Sequence, residues 1–191
     1  MSIEGTIVAA HGRHYEVESA DGRRWQAMPR GKRSDYACGD RVHIEPAGTD
    51  QARIVDHAPR DSLLYRSDQW KQKLIAANVE QVVIVTATEP AFSDELVSRA
   101  VAAAEHEGMR IVIVLNKSDL VQGLAAARER LAPFLAAGYP VVEMSARTDA
   151  SPLRSWLEDR LSVLVGQSGM GKSTLINALV PGAAAATREI S

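Results

Sequence analysis

Apolar and polar positions alternate in short runs over the first sixty residues, then settle into a longer rhythm. Gly5–Ala10, His14–Glu18, Arg24–Ala27, Arg41–Glu45 and Ala52–His57 are β-prone, and Gly12, Asp21-Gly22, Pro29, Gly31, Gly39-Asp40, Pro46 and Gly48 break them apart. A period of two buries one face of a strand, and several such strands at close spacing predict a small barrel or sandwich. Five strands in this length fit an OB-like barrel best, although spacing alone does not separate it from an SH3-like one.

From residue 79 onward, strand-like runs (Val79–Ala87, Arg110–Leu115, Tyr139–Met144, Leu161–Val165) alternate with helical ones (Ser93–Glu107, Leu120–Ala137, Ser151–Asp159, Lys172–Leu179). Strands that are apolar throughout are buried on both faces, and the intervening helices supply the crossovers of a doubly wound, mostly parallel sheet. The fold class predicted is α/β, with an OB-like barrel over residues 1–60, a connector over 61–78 and a sheet domain over 79–191. Sheets of this kind bind ligands in the loops at the carboxyl ends of their strands, so those loops carry the candidate chemistry.

One such loop reads Gly166-Gln167-Ser168-Gly169-Met170-Gly171-Lys172-Ser173, a match to G-x-x-x-x-G-K-[ST] between a strand and a helix. Its glycines let successive backbone N–H groups turn inward on a polyphosphate, and the helix N-terminus adds partial positive charge behind them. Lys172 can bridge the β- and γ-phosphates, Ser173 can ligate Mg²⁺, and Thr174 can reach the α-phosphate. These are the candidate nucleotide-binding residues of this loop, with Lys172 and Ser173 as the catalytic pair.

Asn116-Lys117-Ser118-Asp119 follows another strand. Guanine presents a ring N–H beside an exocyclic amine, and the Asp119 carboxylate can accept both; adenine offers no such pair. The competing role for Asp119 is a helix cap for a helix starting near Leu120. Asn116 can contact the far edge of the base or tie its loop to the phosphate loop, while the Lys117 stem can pack on the purine face. Ser145-Ala146 follows a third strand, where a small residue lets a backbone N–H reach the guanine carbonyl. Three such loops together predict a guanine nucleotide, GTP or GDP.

Composition narrows the class. The chain of 191 residues is 46% apolar with net charge −2 and one cysteine, Cys38. A single cysteine rules out an intrachain disulfide and a cysteine-rich zinc site. No apolar run approaches the ~20 residues needed to cross a bilayer, and Met1–Gly5 lacks the features of a secretion signal. A cytoplasmic monomer with no membrane partner is expected. Charge is balanced overall, but Arg23, Arg24, Arg30, Lys32 and Arg33 fall in a stretch with no acid. They predict an RNA-facing loop, since such contacts are mostly phosphate neutralisation; a solvated loop is the alternative. Trp25 between them is either barrel core or a stacking platform for an RNA base.

The base-reading loops precede the phosphate loop, the reverse of ordinary P-loop GTPases, as in a circularly permuted domain. With a barrel ahead of it, and with Ala76-Ala77-Asn78-Val79 in the connector, the chain resembles the ribosome-small-subunit-dependent GTPase A (RsgA) family. The resemblance implies an enzyme that hydrolyses GTP to GDP and phosphate, uses Mg²⁺, acts late in small ribosomal subunit assembly and contacts ribosomal RNA. It also implies segments beyond Ser191: switch I with a Mg²⁺-binding threonine, a D-x-x-G loop, and a C-terminal domain with structural Zn²⁺. Thr187 lies where the approach to switch I is expected. Without those segments, the alternative is an RNA- and nucleotide-binding module with little turnover.

Overall fold

A computed structural model describes residues 2–31, 35–67, 72–180 and 182–183. Lys32, Arg33 and Thr187 lie outside them. The chain divides into two compact units, Met1–Val79 and Glu80–Ser191.

The first unit is built on a closed barrel of β1 (Ile3–His11), β2 (His14–Ser19), β3 (Arg24–Pro29), β4 (Arg41–Pro46) and β5 (Gln51–His57), ordered β1-β2-β3-β5-β4. All its pairings are antiparallel except β3 with β5. This closure decides for the OB type. The alternation read from the sequence is what fills the interior: Tyr15 and Val17, Trp25 and Ala27, Val42 and Ile44, and Ala52 and Ile54 all point inward with Ile7 and Tyr36. Burying each large apolar side chain contributes roughly 1.5–3 kcal/mol.

Trp25 is therefore a core residue, 4% exposed, with its indole N–H donated to Ser19 Oγ at 3.1 Å. Of its two readings the structure keeps the barrel core and corrects the stacking platform: period two along β3 puts Trp25 on the opposite face from Arg24 and Gln26, and barrel closure makes that face the interior.

Residues 61–78 hold more structure than a connector. Strands β6 (Leu63–Ser67) and β7 (Gln72–Ala77) form an antiparallel pair. Their charged, irregular sequence hides this, and a register shift between Leu64 and Tyr65 disrupts the alternation. The pair is fastened within the first unit: Ala77 N–H donates to the Cys38 carbonyl at 2.8 Å and Asn78 Nδ2 to the Gly39 carbonyl at 2.8 Å. Nearby, Asp40 is fully buried and held by Arg60 through two bonds of 2.7 Å, while the Ala37 N–H donates to the same carboxylate at 2.8 Å.

The second unit is a four-stranded parallel sheet ordered β10-β9-β8-β11, made of β8 (Gln81–Ala87), β9 (Arg110–Asn116), β10 (Val141–Glu143) and β11 (Ser162–Val165). Helices α1 (Asp94–His106), α2 (Leu124–Ala136), α3 (Ser151–Leu157) and α4 (Lys172–Leu179) alternate with them. Every residue of β8 is buried, as its apolar run Val82–Val85 requires, and the polar Gln81 and Thr86 are hydrogen-bonded to Trp156, Ser162 and Val114. Among the described residues, no helix is long and apolar enough to cross a membrane.

Removing Arg60 leaves the buried Asp40 carboxylate without its counter-charge, which costs about 3–5 kcal/mol. Arg60→Ala is expected to lower the unfolding free energy of the first unit by that amount, read as a fall in its urea midpoint. An unchanged midpoint would contradict the assignment of Asp40–Arg60 as a buried pair.

Candidate nucleotide-binding site

The phosphate-loop motif lies between β11 and α4, and its shape depends on glycine at two positions. A Cβ at Gly166 would collide with the Val85 carbonyl oxygen, and one at Gly171 with the Asn116 carboxamide nitrogen. Gly171 also has φ 88° and serves as N-cap of α4, a left-handed conformation that other residues reach only with strain. Met170, 1% exposed, anchors the loop into the core by its side chain, and Leu175 does the same for α4. Gln167, Gly169, Ser173 and Thr174 are partly exposed, whereas Ser168 is exposed.

Lys172 folds back over the loop. Its Nζ donates to the Gly166 and Gln167 carbonyls, each at 2.7 Å. Partial burial holds its pKa below the ordinary lysine value. An ammonium bound only to carbonyls is one that a polyphosphate can claim, because anionic oxygens are the stronger acceptors.

Asn116 ends β9 and is 2% exposed. Its Nδ2 donates to the Met170 carbonyl at 2.9 Å, and its Oδ1 accepts from the Ala146 N–H at 2.9 Å. One carboxamide thus joins all three loops picked out in the sequence. Of the two roles open to Asn116, the structure has it tying loops together. The Ala146 N–H is committed to that tie here, rather than turned outward to a base.

Around it, Ser118 N–H donates to the Met144 carbonyl at 3.2 Å. Lys117 adopts φ 60°, with its Nζ donated to the Glu89 carbonyl at 2.7 Å. Asp119 is exposed and does not cap a helix: α2 begins at Leu124 behind Gly123, whose φ of 90° makes it the cap. Its carboxylate stays available to a ligand. Ser145 is 7% exposed, and its Oγ has no hydrogen-bond partner among the described residues. A buried hydroxyl without a partner is costly, which fits a site completed by a polar ligand.

The loop after β8 carries no motif in the sequence; only its position at a strand's carboxyl end marks it. Thr88 N–H donates to the Asn116 carbonyl at 3.3 Å and Thr88 Oγ1 to the Lys117 carbonyl at 2.9 Å. Further along, Ser93 N–H donates to Gln167 Oε1 at 2.6 Å.

The basic stretch behaves differently from the nucleotide loops. Arg23 lies over the Trp25 ring, with its guanidinium donated to the Thr49 carbonyl and 3.4 Å from Asp50. Arg24 pairs with Glu18 at 3.1 Å and with Glu16 at 3.6 Å. Arg30 is exposed with no side-chain partner among the described residues. Those residues also include no group of three or more His, Cys, Asp or Glu able to hold a metal ion.

Asn116→Ala strands the Ala146 N–H and the Met170 carbonyl, each at about 1–3 kcal/mol. Hydrogen exchange at the Ala146 amide is expected to speed up by at least tenfold. An unaltered rate would mean that the three loops are held by something else.

A family model described as RsgA GTPase matches residues 57–191. The small ribosomal subunit biogenesis GTPase RsgA of Paraburkholderia xenovorans (strain LB400) is 55% identical over 192 residues, covering 98% of this chain and 61% of that protein. The protein of the same name from Burkholderia pseudomallei (strain K96243) is 53% identical, with 98% and 62% covered. The chain thus spans about three fifths of the length of these curated relatives. Among solved structures, YjeQ from Thermotoga maritima is 31% identical with a TM-score of 0.72, covering 95% of this chain and 66% of that one. YloQ, described as a circularly permuted GTPase, matches the fold with a TM-score of 0.66 at 24% identity, over 95% and 65%.

Proposed function

This chain belongs to the RsgA GTPase family, and from that premise we propose that it binds GTP and GDP at the three linked loops and supplies the nucleotide site of a GTPase acting in small ribosomal subunit assembly. The observation that carries this reading is the buried Asn116 carboxamide, which joins the phosphate loop to both base-reading loops. The buried Ser145 hydroxyl, without a hydrogen-bond partner among the described residues, adds support as a group open to a polar ligand, and the crowding at Gly166 and Gly171 against Val85 and Asn116 fixes how closely the phosphate loop sits beside it.

Each residue then has a defined task. Asp119 accepts the guanine ring N–H and exocyclic amine, and the Lys117 stem covers the base face. Backbone N–H groups of Gln167 through Gly171 receive the phosphates, with α4 supplying its N-terminal dipole. Lys172 leaves its two carbonyls to pair with the β- and γ-phosphates, stabilising the charge that develops as GTP and water become GDP and phosphate. Ser173 in the first turn of α4, with the phosphates, would hold a Mg²⁺ ion, whose chemistry is to neutralise phosphate oxygen charge. Thr174 contacts the α-phosphate.

On this reading the protein works in the cytoplasm as a monomer, with the small subunit and its RNA as partners. Arg23, Arg24 and Arg30 on the outer side of the barrel are the RNA-contacting residues, with Lys32 and Arg33 in the same stretch. Exposed ion pairs such as Arg24–Glu18 are worth only about 0–1 kcal/mol, so phosphates can compete for those guanidiniums.

Inosine diphosphate lacks the exocyclic amine, so GDP is expected to bind ~10–100-fold more tightly than IDP, the worth of one hydrogen bond to a charged group. Asp119→Ala should erase that preference, as read by competition against fluorescent GDP with Mg²⁺. Equal affinities in the unsubstituted chain would refute the role of Asp119.

Phosphate pairing favours the charged form of Lys172 and raises a pKa that burial lowers in the free chain. GDP binding therefore takes up protons at alkaline pH, and affinity falls as pH rises through the free-chain pKa. Titration calorimetry in two buffers of different ionisation enthalpy checks this; no proton uptake would count against Lys172 as the phosphate ligand.

A further inference from the structure

We infer that Gln167 is a positioning residue of the phosphate loop, acting through the loop between β8 and α1. The G-x-x-x-x-G-K-[ST] pattern leaves position 167 open, so nothing in the phosphate chemistry asks for a glutamine there. Its side chain instead reaches across the unit. Gln167 Oε1 accepts the Ser93 N–H at 2.6 Å, across 74 residues of sequence. Ser93 is the N-cap of α1, its Oγ accepting from the Leu96 N–H at 3.3 Å, so the donor is fixed on the end of a helix rather than on a free loop.

The far end of the same loop grips the base reader. Thr88 holds Asn116 and Lys117 through its N–H and hydroxyl, and the Glu89 carbonyl receives the Lys117 ammonium. The segment from Thr88 to Ser93 is thus a brace, with the N-K-S-D loop at one end and the phosphate loop at the other. Gln167 makes the second connection. Its own backbone carbonyl is also one of the two acceptors of Lys172 Nζ. A shift of Gln167 therefore moves a partner of the phosphate lysine directly. Two flexible glycines, Gly166 and Gly169, flank the residue, and a side chain pinned to a helix cap limits the conformations the loop must give up when it closes on phosphate.

The inference rests on the nucleotide-binding reading, and its test separates the two. Gln167→Met keeps the length of the side chain and removes the acceptor. In the 191-residue chain, GDP affinity is expected to fall about tenfold, while GMP, which lacks the β-phosphate that the loop encloses, changes less than twofold. Hydrogen exchange at the Ser93 amide, measured without nucleotide, should accelerate, and Gln167→Glu, which retains an acceptor, should restore its protection. A merely structural glutamine would lower GDP and GMP affinity together. That equal loss, or an unchanged GDP to GMP ratio, overturns the inference. So does a Ser93 amide that exchanges no faster in Gln167→Met, whatever its nucleotide affinity. An unsubstituted chain that binds neither nucleotide overturns the function reading first, and this inference with it.

Discussion

Two hydrogen bonds from one buried carboxamide determine whether the nucleotide loops form a site. Three loops at the ends of three parallel strands would otherwise be independent turns, each free to drift. Asn116 removes that freedom by donating to Met170 and accepting from Ala146. Its burial makes the tie obligatory, because a carboxamide at 2% exposure has no water to fall back on. Gly171 is the matching constraint: only a residue without a Cβ lets the phosphate loop approach the Asn116 side chain this closely. The sheet makes the approach possible, with β9 beside β10 and separated from β11 only by β8.

This arrangement also explains why motif order along the chain matters little. The base readers come before the phosphate loop in sequence, yet all strands of the sheet run parallel, so every loop that follows a strand emerges at the same edge. Asn116 and Met170 meet across 54 residues as readily as they would in the opposite order.

The site was legible where chemistry restricts residue type. Gly166 and Gly171, Lys172 and the Asn-Lys-Ser-Asp run stand out in the sequence as motif residues, and the close approaches and loop ties fall on them; α4 appears with the boundaries its apolar spacing predicts. Legibility failed where tertiary contacts set the outcome. The start of α2 slipped from Leu120 to Leu124 because Gly123, not Asp119, supplies the cap. The β6–β7 pair was missed because a register shift and charged residues break its period. Trp25 could be placed only once the barrel closed around it, since alternation gives two faces and not which one is inside. The Gln167–Ser93 bond had no sequence signal, because the motif treats its acceptor as free to vary.

If the three loops form one nucleotide site, a bound nucleotide must act on all of them at once. Hydrogen exchange of the 191-residue chain with and without GDP and Mg²⁺ tests that most directly. GDP is expected to protect residues 116–119, 145–146 and 166–174 together, with the same concentration dependence. Protection confined to 166–174, with the other two loops exchanging as before, would contradict it and leave a phosphate-binding loop with no base recognition.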